Sequence, residues 1–275
     1  MRKLLRFVCI LLAIMCLTPV YAEETGDEVP LLRGWNKQDG YEYLTLGTFP
    51  QTKEGEELPI LWRVLTVEGD KALILSEYVL EARPLHGDYK EYANKPTNKK
   101  KPGFNGDYTQ TDMAKYLNGE FTAHFTVGQL FMIAQDETLG QFFLLSGDEL
   151  KNKAWGFTSN ESRKAWGTEY ALNNGLFKYM SHRGSHSPYW TRTQSTTNIQ
   201  AARCIKSKGE LGYINVITED EGVRPACWLD LTKIVVVGGA GTKDDPYGLD
   251  YASAFNEEVW ALEDQAAVDA SAPQE

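Results

Sequence analysis

The first regular pattern of apolar and polar positions begins at Tyr41. Tyr41-Glu42-Tyr43-Leu44-Thr45-Leu46-Gly47 alternates with period two, as a half-buried strand does, and Thr48-Phe49-Pro50-Gln51 ends it. Pro59 to Val67 predicts a second strand, Glu68-Gly69-Asp70 a turn, and Lys71 to Ser76 a third, shorter run. So short a turn predicts an antiparallel hairpin. The period then disappears. His86 to Asp107 is rich in Asn, Gly and Lys, including Lys99-Lys100-Lys101, and predicts a long irregular segment of the kind that is often functional.

From Thr111 the period becomes helical. Thr111 is placed as an N-cap, Met113, Tyr116 and Leu117 share a face, and Asn118-Gly119 stops the helix. Phe125 to Ala134 predicts a second helix, with Val127, Leu130, Phe131 and Ala134 at i, i+3, i+4 and i+7. Phe142 to Leu145 is a short buried strand leading into Ser146-Gly147-Asp148-Glu149, which has the spacing of a capping box. Thr168 to Asn174 reads as one or two helical turns. Strand-like runs return at 189–193, 201–206, 213–218, 223–231 and 233–237, and after Asp250 the chain is rich in Ala, Glu and Asp. No internal repeat is present, so residues 41–250 read as one α+β domain between a flexible lead-in (23–40) and an acidic, partly disordered tail (251–275).

Residues 1–22 have a different logic. Arg2, Lys3 and Arg6 precede an apolar run, Phe7 to Leu17, too short to span a bilayer, and Val20-Tyr21-Ala22 offers a cleavage site after Ala22. This is the pattern of a secretory signal peptide; Ile14 and Met15 before Cys16 make a poor lipobox. No other stretch approaches the ~20 apolar residues of a transmembrane helix. A hydrophobic content of 42% is ample for a core. Losing residues 1–22 takes the formal charge from −10 to −13, which disfavours nucleic acid as a partner. The expected location is therefore secreted or at the extracytoplasmic envelope.

Export bears on the cysteines. Only Cys204 and Cys227 lie beyond residue 22, and in an oxidising compartment a pair favours a disulfide, with two buried free thiols or a metal pair as alternatives. Arg224, inside an apolar run, is expected to be a buried structural arginine, because an unpaired buried charge is costly. Arg192, next to loop-like sequence, is a candidate for facing a ligand, with Trp155, Trp166, Tyr170 and Tyr179 as aromatics in polar surroundings suited to stacking. Trp62, Trp190 and Trp228 are assigned to the core. His182 and His186 have metal-ligand spacing, but Gly184 and Pro188 mark a loop; Asp244-Asp245 suits a turn better than Ca²⁺. No metal or other cofactor is called for, and nucleotide-binding and nucleophile-elbow motifs are missing.

Several phrases in order carry a resemblance: Leu46-Gly47-Thr48-Phe49-Pro50-Gln51, Leu61-Trp62-Arg63-Val64-Leu65, Phe143-Leu144-Leu145-Ser146, Tyr189-Trp190-Thr191-Arg192 and Gly222 to Leu231. Over about residues 41–231 the chain resembles an uncharacterised bacterial exported family, a domain of unknown function. Tyr189 and Thr191 depart from the family's usual Trp-Trp-Leu-Arg-Ser. More loosely, the ending resembles C-type-lectin-like domains of the formylglycine-generating-enzyme branch. That resemblance implies a C-type-lectin-like α+β fold. The function expected is a secreted, non-catalytic binding domain for a glycan or an extracellular protein. The alternatives are an oxidase using Cys204 and Cys227 with copper, and a structural module of an envelope assembly.

Overall fold

A computed structural model describes residues 32–87, 107–178, 186–198 and 200–271. The chain enters through β1 (Tyr43–Pro50), β2 (Glu57–Glu68) and β3 (Lys71–Ser76), which pair antiparallel in that order. The expected hairpin is therefore present. A two-residue strand β4 (Glu81–Ala82) follows, and β5 (Phe142–Leu144) comes after the helical region. The second half adds β6 (Tyr189–Gln194), β7 (Ala201–Ile205), β8 (Leu211–Asn215), β9 (Gly222–Val223), β10 (Pro225–Asp230), β11 (Ile234–Gly238) and β12 (Tyr247–Tyr251).

These strands form two mostly antiparallel sheets. One has seven strands in the order β11-β12-β1-β2-β3-β10-β5, the other five in the order β4-β9-β6-β7-β8. The chain is thus α+β, as its pattern predicts. One buried cluster joins both sheets, with Trp62 and Phe142 from the first and Trp190 and Ile205 from the second.

Among the described strands the chain crosses between the sheets four times, and two of these crossings, from β3 to β4 and from β9 to β10, are joined by Arg224. Only Arg224 separates β9 from β10. It is 1% exposed, and its Nε donates to Ser76 O at 2.8 Å while its other nitrogens donate to Tyr189 Oη and Glu77 O. One guanidinium therefore ties both crossings to the start of β6. Beside it, Arg63 donates to Glu77 through Nε at 2.6 Å, and Lys243 Nζ reaches the other Glu77 oxygen at 2.8 Å.

The helices are short and well capped. Thr111 caps Asp112–Leu117 as expected, its hydroxyl accepting from Ala114 N. The second helix is only Val127–Phe131, held by a Thr126–Gln129 capping box, because Ile133 leaves it to bridge Leu229. Ser146 and Glu149 make both bonds of the predicted box, at 3.1 and 2.6 Å, and start a single 3-10 turn, Glu149–Lys151.

Several expectations are corrected. Residues 32–40 are not a loose lead-in: Leu32 is buried, Trp35 N donates to Leu65 O, and Asn36 bridges Gly40 across a turn. The acidic tail forms the end of β12, a 3-10 turn (Ser253–Phe255) that packs Phe255 on Phe131, and a helix, Asn256–Ser271, which buries Val259. Cys204 and Cys227 form no disulfide: both are buried free thiols, Cys204 on β7 of the five-stranded sheet and Cys227 on β10 of the seven-stranded one. Residues 1–22, Lys99-Lys100-Lys101, Tyr179 and His182 lie outside the described residues.

Candidate functional site

The residues expected to bind ligand do not converge. Arg192 is committed elsewhere: its two terminal nitrogens grip both oxygens of Glu149 at 2.5 and 2.6 Å, and one also donates to Leu144 O. Trp155 is partly buried, and its carbonyl accepts from Tyr41 Oη at 3.0 Å. Tyr170 sets its ring edge-on to Phe49. Trp166 remains substantially exposed, with His186 packed on it at 4.3 Å between ring centroids; burial lowers the His186 pKa. Asp245 accepts from Ala240 N and so closes a loop. Among the described residues no group of three or more His, Cys, Asp or Glu is arranged to hold a metal ion.

A different place carries the chemistry. The β7–β8 hairpin turns through Lys206-Ser207-Lys208-Gly209-Glu210, closed by Lys206 N donating to Glu210 O at 2.8 Å and Gly209 N donating to Lys206 O at 2.7 Å. Gly209 has φ +79°, and a Cβ there would lie 1.8 Å from Asn160 O, so only glycine fits. Buried Arg163 grips this turn, donating from Nε to Gly209 O at 2.8 Å and from another nitrogen to Asn160. The turn is thereby fixed against the Asn160–Arg163 helix.

Opposite the hairpin runs the segment that enters β9. Phe177 N donates to Asp220 O, Arg83 N to Glu221 O and Gly222 N to Pro188 O. Between hairpin and segment lies a cleft of about 390 Å³, lined among others by Phe177, Cys204, Lys206, Tyr213, Asp220 and Glu221. Phe177 and Tyr213 are each more than two-fifths exposed, so two aromatic rings flank this cleft.

Glu221 is the anomaly. It is only 4% exposed, and its Oε2 is buried with no hydrogen-bond partner. Buried polar atoms are normally satisfied, and an orphan needs an explanation. Burial first, then the neighbouring charge of Asp220, pushes its carboxyl up to about 8, with Lys206 opposing. Burial, and then Glu221, pushes the Cys204 thiol up to about 12, so it stays protonated at neutral pH. Burial alone raises Cys227. A thiol held protonated is a poor nucleophile and a poor metal ligand.

A family model described as a domain of unknown function (DUF6273) matches residues 128–231. That span runs from inside the Val127–Phe131 helix to just past β10 and contains every residue that lines the cleft. It omits β1, β2 and β3, although β10 pairs directly with β3. No curated protein and no solved structure matches the chain.

Sequence reasoning missed this cleft. The sequence singles out Cys204 only as one of a cysteine pair expected to form a disulfide. Glu221 sits in Glu219-Asp220-Glu221, which reads as a solvated acidic run. Its one legible signal was its place directly before the apolar Gly222-Val223.

Proposed function

We propose that the protein is an exported, non-catalytic binding domain of C-type-lectin-like α+β type, and that it takes a glycan in the cleft between the β7–β8 hairpin and Glu221. The observation that carries this reading is the Glu221 carboxyl, whose buried Oε2 has no hydrogen-bond partner, in the wall of a cleft flanked by two exposed rings. Sugar rings present apolar faces that stack on aromatics and hydroxyls that satisfy buried polar groups, so both features have one explanation. A concave site of this size suits one or two sugar units better than the flatter surface of a protein partner. Export rests on the pattern of residues 1–22. No helix among the described residues is long and apolar enough to cross a membrane.

The oxidase alternative is weaker. It needs two cysteines acting together, whereas Cys204 and Cys227 lie in different sheets with both thiols raised.

A glycan array on the folded protein tests the proposal. Binding is expected, and Tyr213→Ala should weaken it by about tenfold through loss of one stacking face. An array with no binding, or binding that ignores Tyr213, overturns it.

A further inference from the structure

The orphaned carboxyl says more about how such a site would work. An ionised Glu221 would need donors on both oxygens, yet Oε2 has none. The cations nearby do not supply one. Lys206 is exposed and lays its alkyl stem along Gly212, and no lysine or arginine of the described residues forms an ion pair with Glu221. On the β4 side, Arg83 turns its guanidinium away to Glu81 and Glu120. The other titratable groups lining the cleft are Cys204, Lys208, Glu210, Tyr213 and Asp220. Two of these are carboxylates that repel a further negative charge, and the thiol is neutral. A buried carboxylate with no partner is far costlier than its protonated form.

We infer that Glu221 stands in the empty cleft as the neutral carboxylic acid and binds its ligand in that form, so that occupancy is linked to one proton and loss of that proton releases the ligand. This rests on the cleft being the binding site. A carboxylic acid is both donor and acceptor, which matches the hydroxyls of an uncharged sugar. It does not match an ammonium ligand, which would need the ionised form. No covalent bond to the ligand is made or broken; only in alkaline solution, where the free site ionises, does a single proton pass to solvent as the site empties.

The raised carboxyl of Glu221 places the switch near pH 8. Above it, affinity for an uncharged ligand should fall about tenfold per pH unit, because only the remaining neutral fraction binds.

Two measurements on the full chain test this. The first follows the ¹³C carboxyl signals of glutamate-labelled protein without ligand, with Glu221 assigned by its loss in Glu221→Gln. A midpoint well above the ordinary carboxylate range is expected, and a midpoint of about 4–5 overturns the proton linkage whether or not glycans bind. The second measures affinity, between about pH 6 and pH 9.5, for the uncharged glycan that binds most strongly in the array. Wild type should lose affinity above pH 8, while Glu221→Gln, a neutral donor and acceptor of similar shape, should keep binding with a flat profile. Affinity that rises with pH, or a folded Glu221→Gln that no longer binds at pH 6, overturns the neutral-acid role. An empty array together with a raised midpoint removes the binding reading and the ligand half of this inference, and leaves only an unusual buried acid.

Discussion

At the scale of single residues, the buried charges behave in opposite ways. Burial opposes ionisation of Glu77, but Arg63, then Arg224 and Lys243, overrule it and lower its carboxyl. A folded value below the unfolded one gives stability that is present above the ordinary carboxylate range and is lost as pH falls through the folded value. Thermal melts should therefore show acid destabilisation that Glu77→Gln blunts, the variant itself being weaker at neutral pH by about 3–5 kcal/mol because Arg63 loses its partner. Glu221 has the reverse sign. Its raised carboxyl favours the folded state below the ordinary range, and that advantage is lost as pH rises towards about 8. Glu221→Gln should be more stable than wild type at pH 8, by about 2 kcal/mol or more, with the difference vanishing near pH 4. The cysteines give a simpler check. In protein lacking residues 1–22, a thiol reagent should find neither Cys204 nor Cys227 in the native state and both in denaturant; a single disulfide would leave none in either.

At the scale of elements, the sequence was most informative where a local bond defines the structure. Thr111 and the Ser146–Glu149 pair were legible because a cap depends on residues three apart. What the pattern could not show is that Glu149 has a second task, holding Arg192 of β6. A double-mutant cycle on Glu149→Gln and Arg192→Met should return a coupling of about 1–3 kcal/mol, more than an exposed pair gives, because both side chains are largely buried. The expected end of β1 was also displaced. Gly47, with φ +70°, lies in the register shift between Thr45 and Thr48, and the strand continues through it to Pro50. A Cβ at Gly47 would come within 2.4 Å of the Phe125 ring. Gly47→Ala should cost about 2–3 kcal/mol in chemical denaturation, from backbone strain and overpacking together. The pattern located the strand but not its bulge.

At the scale of the whole molecule, the two sheets meet at two of the chain crossings, where Arg224 joins Ser76 and Glu77 to Tyr189. Lys243 extends this junction to the loop between β11 and β12, which is held beside β1 also by Tyr43 N donating to Gly241 O and by the pairing of β12 with β1. Arg224→Met should lower stability by about 3–5 kcal/mol, since it removes the donors to the Ser76 and Glu77 carbonyls and to Tyr189 Oη inside the core. If the cleft is the functional part, the same variant should weaken glycan binding only as far as it unfolds the protein, which binding at low temperature separates from stability.

The sequence by itself determined the α+β class, most strands, the helix caps and the expectation that Arg224 is buried. Each follows from a period, a spacing of three or four residues, or the cost of burying one charge. Only the tertiary structure decided which sheet each strand joins and that Cys204 and Cys227 are free thiols. It also committed Arg192 to Glu149 and buried the Glu221 side chain with its Oε2 lacking a partner. Those outcomes depend on contacts between residues far apart in the chain, such as Arg192 with Glu149 and Arg83 with Glu221, and a linear pattern of apolar and polar positions holds no record of them.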